Sequence, residues 1–197
     1  TILPNMIVQE NKLTENLSIF NELEIAELLT HFERKKIKKK TCLLSAGKTA
    51  REVYILITGC IRLFYVKDGK DISAYFFTEN NFAGAYDSFI SQKPSRHSIE
   101  TLEDCEILSI SHKTFLELFD KFPKMNEFMR RVLEERFVSL HDLFTSQILD
   151  STEQRYLKLK KERPDLINRI PQHQLATFLG MTPVSLSRIK NRILKKK

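Results

Sequence analysis

The chain has 197 residues, 42% of them hydrophobic, and a formal net charge of +7. That apolar share can build a real core, and the length suits a medium domain with a small companion, so two domains are expected. No stretch approaches the roughly 20 uninterrupted apolar residues of a membrane span, and the opening TILPNMIVQENK lacks the basic-then-apolar order of a secretion signal. A soluble, cytoplasmic protein without a membrane partner is expected.

Asn21 to Phe32 opens with a capping-box pattern, Asn21 followed by Glu24, and carries Leu23, Leu28, Leu29 and Phe32 as its apolar set, which predicts a short helix. From Lys35 to Ser111 the pattern changes to short apolar runs broken by turn residues: CLLSAG, EVYILITGC, IRLFYVKDGKDISAYFF, HSIETL and CEILSI. These predict antiparallel strands in a sandwich or roll. Asp68-Gly69 is a hairpin signal, because a type I′ turn needs positive φ at both positions. Gly47, Gly59, Gly69 and Gly84 all fall at breaks between the runs. Cys42, Cys60 and Cys105, odd in number and far apart, fit neither a disulfide framework nor a CxxC metal site and are expected as buried thiols in strands. The run RKKIKKK, Arg34 to Lys40, has the composition of a nucleic-acid or nuclear-localisation patch. An exposed edge strand, where lysines discourage edge-to-edge pairing, is the preferred reading.

After Ser111 the period becomes helical. HKTFLELFDKF predicts a helix stopped near Pro123, and Lys124 to Leu149 predicts a long one without Gly or Pro. Along it Leu133, Phe137, Leu140 and Phe144 recur at a coiled-coil-like spacing, as for a homodimer seam. Met125, Phe128, Met129 and Val132 form a second set that can pack on the strand domain. Asp150, with Glu153 three residues on, is expected to cap the next helix.

Charge is concentrated at the far end. Residues 151–197 hold twelve Lys/Arg against three acids, a net +9 that leaves −2 for the rest. Such an excess confined to one end marks a polyanion-binding module attached to a domain with another task. Within it, QHQLATFLGMTPVSLSRIKNRILKKK has the parts of a helix-turn-helix: Ala176 as the small residue where the helices cross, Gly180 at the turn, and Leu175, Leu179, Met181, Leu186 and Ile189 inside. Thr182 is a good N-cap and Pro183 a good first helical residue. The outward residues are then Val184, Ser185, Ser187, Arg188, Asn191 and Arg192. Arg188 is the expected base reader, through guanine O6 and N7, and Val184 suits a thymine methyl. Gln172, His173 and Ser185 are placed for phosphates, with Lys190 and Arg192 adding charge. The alternative is two packed helices that touch no DNA.

The order of parts resembles the Crp/Fnr superfamily of bacterial transcription regulators over almost the whole chain. The resemblance implies an α+β fold: an antiparallel β-roll of the cyclic-nucleotide-binding type with flanking helices (1–123), a long dimerisation helix (124–149), and a helix-turn-helix domain (150–197). It implies double-stranded DNA, a second copy, RNA polymerase and a small anionic effector as partners, Asp150 as hinge, and Arg188 as a base-contacting arginine. Pro183 and Val184 replace charged reading residues, so a different operator is expected. The family's phosphate cassette has the form FGE followed by Arg-Ser or Arg-Thr, the glutamate holding the ribose hydroxyl. Here Gly84 is kept, Ala85 replaces the glutamate, Arg96 is displaced by one position behind Ser95, and His97 follows. Ser139 and Leu140 stand where the long helix would face a purine. Cyclic AMP is therefore not expected as a cofactor in the usual way, leaving an empty pocket or another anion held by Arg96 and His97. The first cysteine is Cys42, too late for an iron–sulfur cluster near the N-terminus, and a β-hairpin wing is not expected after the recognition helix.

Two rival functions come from other classes. A β-roll can resemble a metal-dependent cupin barrel, but His31, His97, His112, His141 and His173 are scattered without an HxH pair. Neither catalytic nor metal-binding residues are therefore expected. The other rival is a protein-interaction module with a vestigial DNA domain.

Overall fold

The computed structural model describes residues 16–195. The opening dodecapeptide and two residues of the basic tail, Lys196 and Lys197, lie outside them. The architecture is α+β, in the order α1 (Glu22–Leu29), β1 (Glu33–Ile37), β2 (Cys42–Leu44), β3 (Glu52–Thr58), β4 (Ile61–Lys67), β5 (Lys70–Phe77), β6 (Phe82–Ala83), α2 (Tyr86–Ser91), β7 (Ser98–Thr101), β8 (Cys105–Ser111), α3 (His112–Lys121), α4 (Met125–Leu149), α5 (Thr152–Glu162), α6 (Pro164–Arg169), α7 (Gln172–Phe178) and α8 (Pro183–Leu194). Two four-stranded sheets form the roll, ordered β1-β8-β3-β6 and β2-β7-β4-β5.

The chain packs as two compact units, one reaching Leu63 and resuming over Phe76–Arg136, the other joining Phe64–Tyr75 to the residues from Phe137 onward. In the first, Val53, Leu56, Ile61, Phe77, Phe89, Ile99, Ile107, Ile110, Phe115 and Leu118 are fully buried. Each such side chain contributes about 1.5–3 kcal/mol on removal from water. Phe89 and Phe115 meet edge to face at 5.3 Å. Met125, Phe128 and Met129 of α4 are buried as expected, with Val132 half-buried.

Local signals behave as read. Asn21 and Glu24 form a complete capping box on α1. Asp68 and Gly69 have φ of 51° and 71° between β4 and β5. Arg34 to Lys40 includes an edge strand, β1, which among the described residues pairs with β8, and three of its cations are met by acids: Arg34 with Glu106 at 2.6 Å, Lys35 with Glu52 at 2.9 Å, Lys38 with Asp104 at 2.9 Å.

Four details differ from the sequence reading. Leu23 is 83% exposed, since α1 covers the roll with Leu28 alone fully buried. Cys42 is exposed on β2, and Cys60, although buried, lies between strands rather than in one. The cap of α5 is Ser151, not Asp150: its hydroxyl accepts from Gln154 N while Gln154 Oε1 accepts from Ser151 N at 2.8 Å. Asp150 instead accepts a 2.6 Å bond from the Ser146 hydroxyl at the end of α4, so its carboxylate is turned back toward that helix. Finally, Arg62 is buried on β4 with both Nε and Nη2 on Glu100 Oε1, at 3.0 and 2.6 Å, a pairing across strands that no local pattern announces.

Candidate DNA-reading head and effector loop

In the second unit Leu175, Ala176 and Leu186 are fully buried, with Tyr156, Leu166, Ile170, Leu179 and Ile189 around them. Met181 is half-buried. The first helix of the pair, α7, ends in a Schellman motif: Gly180 N donates to Thr177 O at 3.0 Å and Met181 N to Ala176 O at 2.9 Å. That motif needs a left-handed residue, and Gly180 supplies φ of 71°. Thr182 then caps α8, its side chain accepting from Ser185 N at 3.2 Å, and Pro183 opens the helix. The turn is thus specified at one end by backbone hydrogen bonds and at the other by a side-chain cap.

On α8, Val184 is 60% exposed, Arg188 and Asn191 are exposed, and Ser185 and Ser187 are half-buried. Val184, Arg188 and Asn191 follow each other at helical spacing along one face. Gln172 and His173 are exposed in the first turn of α7. The Ser185 hydroxyl sits 2.9 Å from Thr182 Oγ1, so it already has a partner within the cap. Arg192 is also engaged, donating to Glu153 Oε2 at 2.6 Å. No sequence signal marked Glu153 for that role, because the two residues are 39 positions apart.

The four seam residues of α4 are exposed to differing degrees: Leu133 40%, Phe137 72%, Leu140 46% and Phe144 64%. Leaving two phenylalanines this bare along one helix face is costly unless another surface covers them. Ser139 is exposed on the same helix, and Asp150 is half-buried between α4 and α5.

The effector loop is organised differently. Gly84 has φ of 149°, a conformation L side chains rarely adopt, and a Cβ there would lie a tight 3.1 Å from Val53 Cγ1, so backbone and packing on β3 both favour the glycine. Ala85 is buried at the start of α2 and brings no side-chain cap. Ser88 Oγ accepts from Ala50 N at 3.0 Å and donates to Lys93 O at 2.5 Å. Ser95 Oγ donates to His97 O at 2.8 Å and accepts from His97 N at 3.2 Å. Arg96 is exposed, whereas its neighbour His97 is buried, so the two side chains have opposite environments. Burial pushes the His97 imidazole below its ordinary value, against the pull of the Asp87 carboxylate 3.7 Å away. Burial thus works against the positive charge that an anion would need from His97.

Among the described residues, no three His, Cys, Asp or Glu converge as a metal ion would need, and no helix is long and apolar enough to cross a membrane.

Comparison with known proteins agrees with this layout. Residues 34–122 match the cyclic nucleotide-binding domain family. Over 172 residues the chain is 24% identical to the cAMP-activated global transcriptional regulator CRP of Pasteurella multocida, covering 82% of each. The CRP of Haemophilus influenzae is 23% identical over 172 residues, covering 82% of this chain and 77% of that protein. Among solved structures, the c-di-GMP-responsive global regulator CLP of Xanthomonas campestris superposes with a TM-score of 0.72 at 18% identity, over 89% of this chain and 93% of that one. A protein from Eubacterium rectale assigned to the Crp/Fnr family gives 0.71 at 13% identity, over 94% and 89%. At these identities the structural likeness speaks for the fold.

Proposed function

We propose that the chain is a regulator of the Crp/Fnr type, which controls transcription as a homodimer that reads a two-fold symmetric DNA site; the cyclic nucleotide-binding domain match and the similarity to CRP support it. One observation carries this reading: a helix-turn-helix closed by Gly180 and Thr182 presents Val184, Arg188 and Asn191 outward in a segment with no acid beyond Asp165. Arg188 reads a guanine, Val184 a thymine methyl, and Gln172 and His173 meet phosphates. The bare seam through Leu133, Phe137, Leu140 and Phe144 is the dimer interface, which sets the spacing of two half-sites. Asp150, between α4 and α5, is the hinge. RNA polymerase and a cytoplasmic setting follow from the same reading.

The roll does not take cyclic AMP in the usual way. Ala85 cannot accept from a ribose hydroxyl, and an unpaired polar group on the ligand would cost about 1–3 kcal/mol. The Ser95 hydroxyl is committed to His97, and Arg96 is out in solvent. An effector is therefore held by Arg96 and backbone amides, with His97 buried away from solvent.

Selection of bound sequences from random duplex DNA tests the function directly. Recovered sites with two-fold symmetry are expected, whereas unselected sequence bound uniformly would leave only a polyanion-binding or interaction module. An enzyme of the cupin type would instead show stoichiometric iron, manganese or zinc in the purified protein.

A further inference from the structure

Arg192 lies in the last turn of α8, where its charge would suit a DNA phosphate, yet its Nη2 donates to Glu153 Oε2 at 2.6 Å. Glu153 lies in the first turn of α5. An acid in a first turn and a base in a last turn each complement the dipole of their own helix, so the pair is favoured twice over. Two residues further along α5, Arg155 makes a second tie. Its Nη1 donates to Gln147 O at 3.3 Å and also to Gln147 Oε1, while Gln147 Nε2 donates to Phe178 O at 3.2 Å. Its Nη2 lies 3.1 Å from where a Cβ on Gly180 would stand. Residues two apart leave a helix about 200° from each other, so α5 is gripped on both flanks. One flank is tied to Gln147 at the end of α4, which in turn holds the end of α7, and the other to the end of α8.

We propose that Arg192 is a positioning residue rather than a phosphate contact: clamped by Glu153, it fixes the angle at which α8 presents Val184 and Arg188. The inference rests on the DNA-reading function proposed above. A recognition helix offers its N-terminal residues to the bases. Arg192 is eight residues beyond Val184, about 12 Å along the axis, where the helix is anchored to its own domain.

The test uses the full-length chain and an operator recovered by selection, with affinity measured across a range of salt. Arg192→Gln should weaken binding about two- to fivefold, the scale of an exposed ion pair, without changing the slope of log affinity against log salt. Glu153→Gln should weaken it equally, although it removes a negative charge. The swapped pair, Glu153→Arg with Arg192→Glu, should recover at least part of the loss. Losing a phosphate contact lowers the slope by about 0.9. A slope reduced by that much in Arg192→Gln, or tighter binding by Glu153→Gln, overturns the proposal. If a single variant melts below the assay temperature, the swapped pair decides: no recovery of folding or binding overturns it as well. A wild type that binds no duplex refutes the DNA-reading function itself, and the inference falls with its premise. Salt-dependent wild-type binding with a lowered slope in Arg192→Gln refutes the inference alone.

Discussion

The effector loop and the reading head are built alike, each a short helix entered through a turn with a positive-φ glycine, but they dispose of their polar groups in opposite ways. Around α2 the hydroxyls of Ser88 and Ser95 are consumed by the loop's own backbone, and His97 is buried. Around α8 the turn is closed by Gly180 and Thr182, and Val184, Arg188 and Asn191 face solvent. The α8 cap also uses side chains, those of Thr182 and Ser185, but Val184, Arg188 and Asn191 lie beyond it and stay exposed to a ligand, whereas the hydroxyls and the imidazole of the effector loop are turned inward. The contrast predicts a reading surface that is active and an effector loop that is quiet.

The largest expected effect breaks the pairing of two heads. Phe137→Glu should give a folded monomer in sedimentation, with operator affinity reduced about a hundredfold or more as avidity is lost. A persistent dimer would place the interface elsewhere. Next, Arg188→Ala should cost about 1–3 kcal/mol and relax preference at one base per half-site. Removal of Lys195 to Lys197 should weaken all sequences alike and reduce the salt slope. Unchanged sequence preference in Arg188→Ala would remove it from the reading surface. Smaller still, Thr182→Ala should cost about 1 kcal/mol of stability through the lost cap, seen as a lower thermal midpoint. An unshifted midpoint would mean that Pro183 and the Schellman turn hold the helix start without it.

At the quiet end, calorimetry with millimolar cyclic AMP should show no saturable heat, and operator binding should not respond to it. A ligand acts only through different affinities for two states, and the loop offers little with which to create that difference. Micromolar binding that disappears in Arg96→Ala would overturn the contrast, showing that an exposed arginine and backbone amides suffice without a glutamate.

Much of this was determined by the sequence by itself, because the deciding interactions are local. The α1 capping box spans Asn21 to Glu24, the β4–β5 turn is made by two adjacent residues, and the helix-turn-helix is specified by Ala176, Gly180 and Thr182 within seven positions. Arg34 to Ile37 form an edge strand for a similar reason, since strand composition and period are short-range, while Lys38 to Lys40 lie beyond its end. Where the sequence erred, neighbouring residues competed for one role. Ser151 displaced Asp150 as cap because Gln154, three residues after Ser151, reciprocates in a capping box, while Asp150 faces Ser146. Only the tertiary structure decided the partners that come from afar: Glu100 for Arg62, Glu153 for Arg192, Gln147 for Arg155, and Val53 as one reason for Gly84. Such pairings depend on where packed helices and strands bring distant side chains, and neither periodicity nor composition carries that distance.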